Sequence, residues 1–122
     1  MKHLLVVDDS SATRSLVAAA LAEAVDLRVE RVSTGLEALK LLSTTEIDLV
    51  LTDVHMPEIN GLELIRFIKE TERLRHIPVI IISTEAAEQD KERALALGAD
   101  DYLAKPFTPE QLRRTINKHL IR

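Results

Sequence analysis

An α/β domain wound around one parallel five-stranded sheet is the fold that these 122 residues imply. Three features point to it. Five short apolar runs rich in β-branched residues alternate with stretches of helical periodicity, the pattern that right-handed βαβ crossovers produce. In the third of these runs Leu49, Val50 and Leu51 follow one another, as in a strand covered on both faces. Each run also ends in polar or charged residues, and in open α/β sheets the carboxyl ends of the strands border the ligand crevice.

The first run, Leu4 to Val7, ends at Asp8-Asp9. A helix is expected over Ala12 to Ala24, where Leu16, Val17, Ala20, Leu21 and Ala24 recur at helical spacing. The second run, Leu27 to Val32, ends at Ser33-Thr34, and Thr34-Gly35-Leu36-Glu37 is a capping box opening a second helix through Leu42. Ile47 to Thr52 forms the third strand, with Asp53 as its last residue. Met56-Pro57 then forbids continued pairing, and Glu58-Ile59-Asn60-Gly61 is a turn into a third helix, opened by Asn60 with Glu63 and packed through Leu64, Ile65 and Ile68. The fourth strand, Val79 to Ile82, ends at Ser83. Ala87 to Leu97 makes a fourth helix closed by Gly98, its inward side small, with Ala94 and Leu95 as its main apolar contacts. Tyr102 to Ala104 ends at Lys105. Thr108-Pro109-Glu110-Gln111 starts the last helix with a cap, a proline at the first helical position and a capping-box glutamine, so that Leu112, Ile116 and Leu120 face the core.

For five such strands the common order is the flavodoxin-like 2-1-3-4-5, doubly wound. That order converges the ends of the first, third, fourth and fifth strands, and with them Asp8, Asp9, Asp53, Ser83 and Lys105.

Composition narrows the function. At 46% hydrophobic the chain suits one domain over residues 1–122, burying roughly two thirds of its unfolded surface. The chain contains no cysteine, hence no disulfide and no thiolate metal site, which is compatible with a reducing cytoplasm. Two aspartates interrupt the N-terminal apolar stretch, which therefore cannot be a secretory segment, and no run approaches the roughly 18 apolar residues of a membrane span. A formal charge of −4 and aromatics limited to Phe67, Tyr102 and Phe107 argue against a general nucleic-acid surface. Arg114, Lys118 and Arg122 form a basic stripe, read as cations complementing the C-terminal end of a helix dipole.

Three carboxylates in one pocket repel one another by about 4 kcal/mol per pair at a separation of about 4 Å and an effective dielectric constant of about 20. A hard divalent ion relieves that repulsion. Mg²⁺ prefers oxygen ligands and is commonly held by one or two carboxylates plus a substrate phosphate. Lys105 adds a fixed positive charge and Ser83 a hydroxyl donor, and together they suit the oxygens of a phosphoryl group attacked by a carboxylate. Each residue also has an ordinary alternative: Asp8 or Asp9 as a helix N-cap, Asp53 or Ser83 as a loop starter, Lys105 as a solvated lysine. Their coincidence at four strand ends favours a shared site built for an aspartyl phosphate.

Val6-Val7-Asp8-Asp9-Ser10, Asp53-Val54-His55-Met56-Pro57 with Gly61, Ile81-Ile82-Ser83, Gly98-Ala99-Asp100-Asp101-Tyr102 and Lys105-Pro106-Phe107 together resemble the receiver domain of two-component response regulators. The resemblance spans essentially the whole chain. It implies that Asp53 accepts a phosphoryl group from a phosphohistidine on a sensor histidine kinase or histidine phosphotransfer protein. By the same resemblance Asp9, Asp53 and the backbone carbonyl of His55 ligate Mg²⁺, and Asp8 acts through water. Ser83 and Lys105 bind phosphoryl oxygens, and Tyr102 changes rotamer on activation. His55 and Glu85 form the pair that tunes dephosphorylation, and the Lys105-Pro106 bond is cis, against a general frequency of about 5% for such bonds. The implied protein is a cytoplasmic, monomeric receiver of the stand-alone type used in chemotaxis and phosphorelays. It would have no output domain, no nucleic-acid or membrane partner, and a downstream protein target that reads the face formed by the fourth helix, fifth strand and fifth helix.

Two other classes share parts of the pattern. A phosphatase of the haloacid dehalogenase type also places an aspartate nucleophile after a strand, but it wants a second acid two residues later, where this chain has His55. A flavodoxin-like cofactor binder would wrap a phosphate with Ser10-Ser11-Ala12-Thr13, beside which Asp8-Asp9 would repel the anion. A receiver-like module that is never phosphorylated conflicts with the presence of every site residue.

Overall fold

A computed structural model describes residues 1–24, 26–84 and 88–120. Strands and helices alternate strictly: β1 (Lys2–Val7), α1 (Ser11–Ala20), β2 (Leu27–Val32), α2 (Gly35–Thr44), β3 (Leu49–Asp53), α3 (Gly61–Glu70), β4 (Val79–Thr84), α4 (Glu88–Ala96), β5 (Asp101–Lys105) and α5 (Pro109–Leu120). The sheet is parallel throughout, in the order β2-β1-β3-β4-β5. This is the expected flavodoxin-like arrangement.

Strand alternation builds two cores from one sheet. Leu4, Val6, Leu49, Leu51, Ile80, Ile82 and Leu103 point to the layer of α1 and α5, where Val17, Leu21, Leu112 and Ile116 cover them. Leu5, Val7, Val50, Val79 and Ile81 point the other way, onto Ala38 and Leu42 of α2, Leu64, Ile65 and Ile68 of α3, and Ala94 of α4. Both faces of the central strands are therefore dry, which accounts for the unbroken apolar runs in the sequence.

Local signals fix most helix boundaries. Thr34 accepts the N–H of Glu37, and Asn60 and Glu63 form a reciprocal capping box. Thr108 and Gln111 exchange the equivalent bonds at 3.0 and 2.9 Å ahead of α5. Gly98 ends α4 in a left-handed conformation (φ 111°), with Ala99 N–H donating to Ala94 O and Gly98 N–H to Leu95 O, the paired bonds of a Schellman motif.

Four expectations need correction. The first helix stops at Ala20, not Ala24, because the chain unwinds through short turn bonds, Ala22 to Ala19 and Ala24 to Leu21, and must reach the sheet edge at Leu27 opposite Lys2. Leu16 is exposed, and α1 packs instead through Val17 and Leu21. The third strand begins at Leu49, since Asp48 is occupied by His3, giving its N–H to the His3 carbonyl and taking the His3 N–H on its carboxylate. Leu95 faces solvent at 44% exposure; Leu97, two residues on and just past the end of the helix, packs partly against the core that holds Ala94. The expected start of the fourth helix at Ala87, Glu85, and Arg122 of the basic stripe lie outside the described residues.

The turn after β3 carries backbone strain. Glu58 has φ 66°, a left-handed conformation that a side chain makes unfavourable by about 1–2 kcal/mol. Glycine removes that penalty but loses more chain entropy on folding, by roughly 0.5–1 kcal/mol. Glu58→Gly is therefore expected to stabilise by about 0.5–1 kcal/mol, seen as a higher urea midpoint at unchanged slope; a lower midpoint would mean that the Glu58 side chain contributes more than its strain takes away.

Candidate functional site

The sheet order places β1 and β3 side by side and β4 and β5 next in line, so the residues at their carboxyl ends share one rim. Carboxylate oxygens of Asp8, Asp9 and Asp53 all lie within 4.8 Å of one another. Asp8 is fully buried, Asp53 is 9% exposed and Asp9 reaches solvent. Lys105, at the end of β5, brings Nζ to 2.9 Å from Asp8 Oδ2 and 3.8 Å from Asp53 Oδ2. The peptide bond from Lys105 to Pro106 is cis, as expected.

Backbone and helix α1 hold the acid pair in place. Asp8 Oδ1 accepts the Ser10 N–H at 2.8 Å, Ser10 Oγ caps α1 by accepting the Thr13 N–H, and the Arg14 guanidinium donates to the Asp8 carbonyl at 2.7 Å. Ser10, and neither aspartate, is thus the N-cap, which leaves both acids to the rim. Gly61 lets α3 start directly against the end of β3. A Cβ there would sit 2.1 Å from the Asp53 carbonyl oxygen, and the Gly61 N–H donates to the Val54 carbonyl at 2.8 Å.

Burial raises the Asp53 pKa above its ordinary value, and the nearby Asp8 charge raises it further; Lys105 and the N–H groups of Val54 and His55 pull the other way without restoring it. The two buried carboxylates are thus under-compensated by a single ammonium. Two buried oxygens carry the same message. Among the described residues Ser83 Oγ, almost fully buried near the end of β4, has no hydrogen-bond partner, and Asp8 Oδ2 touches Lys105 as an ion pair without an aligned hydrogen bond. Unsatisfied polar atoms at a strand-end rim mark a place for a polar ligand, and a donor set of three carboxylates suits a hard cation such as Mg²⁺.

Tyr102 sits on the opposite face of β5 from Lys105. It packs against the α2–α4 core, its hydroxyl donates to the Thr84 carbonyl at 3.3 Å, and Lys91 Nζ lies 4.9 Å from its ring centre. The His55 side chain turns toward α4, with Nε2 2.6 Å from Asp90 Oδ2. Asp90 and Lys91 were not legible as site neighbours, because both belong to a charged helical run that has the composition of a solvated face.

A rim of this kind, at the carboxyl edge of a sheet in this order, suits a divalent cation and an anionic ligand held between carboxylates, a lysine and a free hydroxyl. The response regulator receiver domain model matches residues 4–117, and the chain belongs to that family. It is 40% identical to the rice (Oryza sativa subsp. japonica) two-component response regulator ORR5 over 119 residues, covering 97% of this chain and 88% of the relative. Among solved structures it resembles the chemotaxis protein CheY4 of Vibrio cholerae, with 32% identity, a TM-score of 0.90 and coverage of 98% and 99% of the two chains. It also resembles the receiver domain of the sensor histidine kinase PA1611 of Pseudomonas aeruginosa, which holds a magnesium ion in its active-site cleft (29% identity, TM-score 0.87, coverage 98% and 97%). The chain is thus a receiver domain of two-component and phosphorelay signalling, a phosphoacceptor family and not a conventional enzyme class. Among the described residues, no helix is long and apolar enough to cross a membrane.

The electrostatics give a pH-dependent test. With its pKa raised on folding, Asp53 binds more protons in the native state than in the unfolded chain between the two values, so its contribution to stability falls as pH rises through that window. In chelator at neutral pH, Asp53→Asn is expected to melt higher than wild type, with the margin shrinking as pH falls into the ordinary carboxylate range, where wild-type Asp53 is protonated too. A lower melting point for the variant at neutral pH would show that Asp53 stabilises the turn that follows it.

Proposed function

We propose that Asp53 is the phosphoacceptor, and that its donor is a phosphohistidine on a sensor histidine kinase or histidine phosphotransfer protein. The observation that carries this reading is the position of Asp53, the strand-end carboxylate that adjoins both the acid pair and Lys105. An Asp53 carboxylate oxygen attacks phosphorus, the N–P bond of the donor breaks, and its imidazole nitrogen leaves with the electron pair. Lys105 is placed to follow the charge onto a phosphoryl oxygen, since its Nζ already reaches both Asp8 and Asp53. The unpartnered Ser83 hydroxyl gains an acceptor in the product. A divalent cation, held by Asp9, Asp53 and the His55 backbone carbonyl with Asp8 acting through water, would supply the positive charge that the phosphoryl oxygens need. An apolar groove of about 350 Å³, lined by Leu16, Pro106 and Phe107 next to Lys105, offers a protein donor a surface beside the rim.

Output follows from Ser83 and Tyr102. Both lie on the α2–α4 side of the sheet by strand alternation, with Ile81 paired to Tyr102 and Ser83 to Ala104. Movement of Ser83 toward a phosphoryl oxygen vacates space on that side, and an inward turn of Tyr102 carries the change to the face of α4, β5 and α5, where a downstream protein reads it. The absence of cysteine from the chain fits a cytoplasmic setting.

Intact-mass measurement after treatment with acetyl phosphate and Mg²⁺ should show one labile phosphoryl adduct, lost in Asp53→Asn and in chelator. An adduct of wild-type yield in that variant rejects the assignment. In the same preparations Asp9→Ala should weaken Mg²⁺ binding more than Asp8→Ala; equal losses would mean that the ligand roles are misassigned. The output reading is tested by NMR with and without beryllofluoride and Mg²⁺: shifts are expected at Tyr102, Leu95 and Leu112, and changes confined to the rim would refute a conformational readout.

A further inference from the structure

The His55–Asp90 contact joins the loop after β3 to the first turn of α4. His55 leaves the acceptor strand two residues after Asp53, and Asp90 stands in the first turn of α4. Its carboxylate is 15% exposed while the imidazole is 72% exposed, so the ring covers a sheltered partner from the solvent side. With a carboxylate as acceptor the bond takes its proton from Nε2, which commits that edge of the ring to α4. Since Asp53 on β3 pairs with Ile82 on β4, a link from residue 55 to α4 crosses the carboxyl ends of the two strands that supply Asp53 and Ser83.

We propose that Asp90 is a positioning residue for the acyl phosphate: by tethering the His55 ring across these strand ends, it screens phosphorylated Asp53 from attacking water and lengthens the life of the signal. This rests on the reading of Asp53 as acceptor and adds a residue to its regulation. Hydrolysis requires water to reach phosphorus roughly in line with the Asp53 oxygen, from the outer, solvent side. An untethered imidazole samples several staggered rotamers and leaves that approach open for part of the time. A ring bonded to Asp90 keeps one. The tether also acts on α4, whose one buried side chain among the described residues is Ala94, so the same bond sets where the first turn of the helix lies.

The test follows decay of the adduct by intact mass, after phosphorylation with phosphoramidate and Mg²⁺ and removal of the donor, in the full chain. Asp90→Ala is expected to shorten the half-life by at least about threefold. Asp90→Asn, whose carbonyl still accepts from Nε2, should recover most of the loss. In a His55→Ala background, Asp90→Ala should add nothing. An equal effect in that background would mean that Asp90 acts by holding the helix alone, and an unchanged or longer half-life in Asp90→Ala would mean that the ring does not screen; either overturns the proposal. A wild type that takes no adduct at Asp53 removes the acceptor reading and this proposal with it, a result distinct from adducts that form and decay alike in all variants.

Discussion

The molecule is arranged around an electrostatic deficit: two carboxylates, Asp8 and Asp53, buried at the ends of adjacent strands with one ammonium between them. Sheet order makes this unavoidable, since β1 and β3 are neighbours and both end at the rim. Repulsion of about 4 kcal/mol for a pair at about 4 Å and an effective dielectric constant of about 20 is large against the 5–15 kcal/mol or so of net stability of a typical domain. The fold tolerates it because the two cores beneath are continuous and dry, and because Asp8 is tied down by Ser10 and Lys105. Phosphorylation of Asp53 would add negative charge to a place already short of positive charge, which is the physical reason for expecting a divalent ion and not a second lysine to complete the site.

Strand alternation then divides the labour. Asp8, Asp53 and Lys105 continue the side of the sheet that carries Leu4, Leu51 and Leu103, under α1 and α5. Ser83 and Tyr102 continue the other side, with Ile81, toward α4. On the proposed reading, chemistry and readout are separated by the thickness of one sheet. Ser83 is the residue that can belong to both, because its strand lies between β3 and β5 and its hydroxyl has no partner among the described residues.

The parts of this plan that rest on local rules are readable in the sequence. Continuous apolar runs gave the central strands their places, and Thr34 with Glu37, Asn60 with Glu63 and Thr108 with Gln111 announced three helix starts; the last two are reciprocal capping boxes, while at the first Thr34 caps the Glu37 N–H and the Glu37 carboxylate turns to the Ser33 N–H instead of that of Thr34. Strand ends and fold order together brought Asp8, Asp9, Asp53 and Lys105 to one point. What could not be read is what depends on tertiary partners. In the first helix the alanines after Val17 fit helix or turn equally, and the return of the chain to Lys2 decides the matter. In the fourth, one apolar position looks like another when most neighbours are charged, so choosing between Leu95 and Leu97 needs the rotation of the helix on the sheet. Asp90 lacks any local signature, because a lone acid in a first turn is already explained by the helix dipole.

The contrast between α4 and α5 shows why one of them suits the role of moving part. Helix α5 buries Leu112 and Ile116 fully and packs Leu120 against the same cluster. At about 1.5–3 kcal/mol for each fully buried large aliphatic side chain, displacing it would forfeit several kcal/mol. Among its described residues helix α4 buries Ala94 alone and closes on Gly98, and it is tied further by polar contacts, Lys91 over the Tyr102 ring and Asp90 against His55. Contacts of that type contribute about 0.5–1.5 kcal/mol each. Both depend on charge and on the position of a residue tied to the rim, His55 to the loop after β3 and Tyr102 to the strand that ends in Lys105. On the proposed reading, a change of charge at Asp53 would act on the terms that hold α4 and leave the apolar terms that hold α5 alone, and a shift of α4 relative to a fixed α5 is the motion that this division of contacts permits.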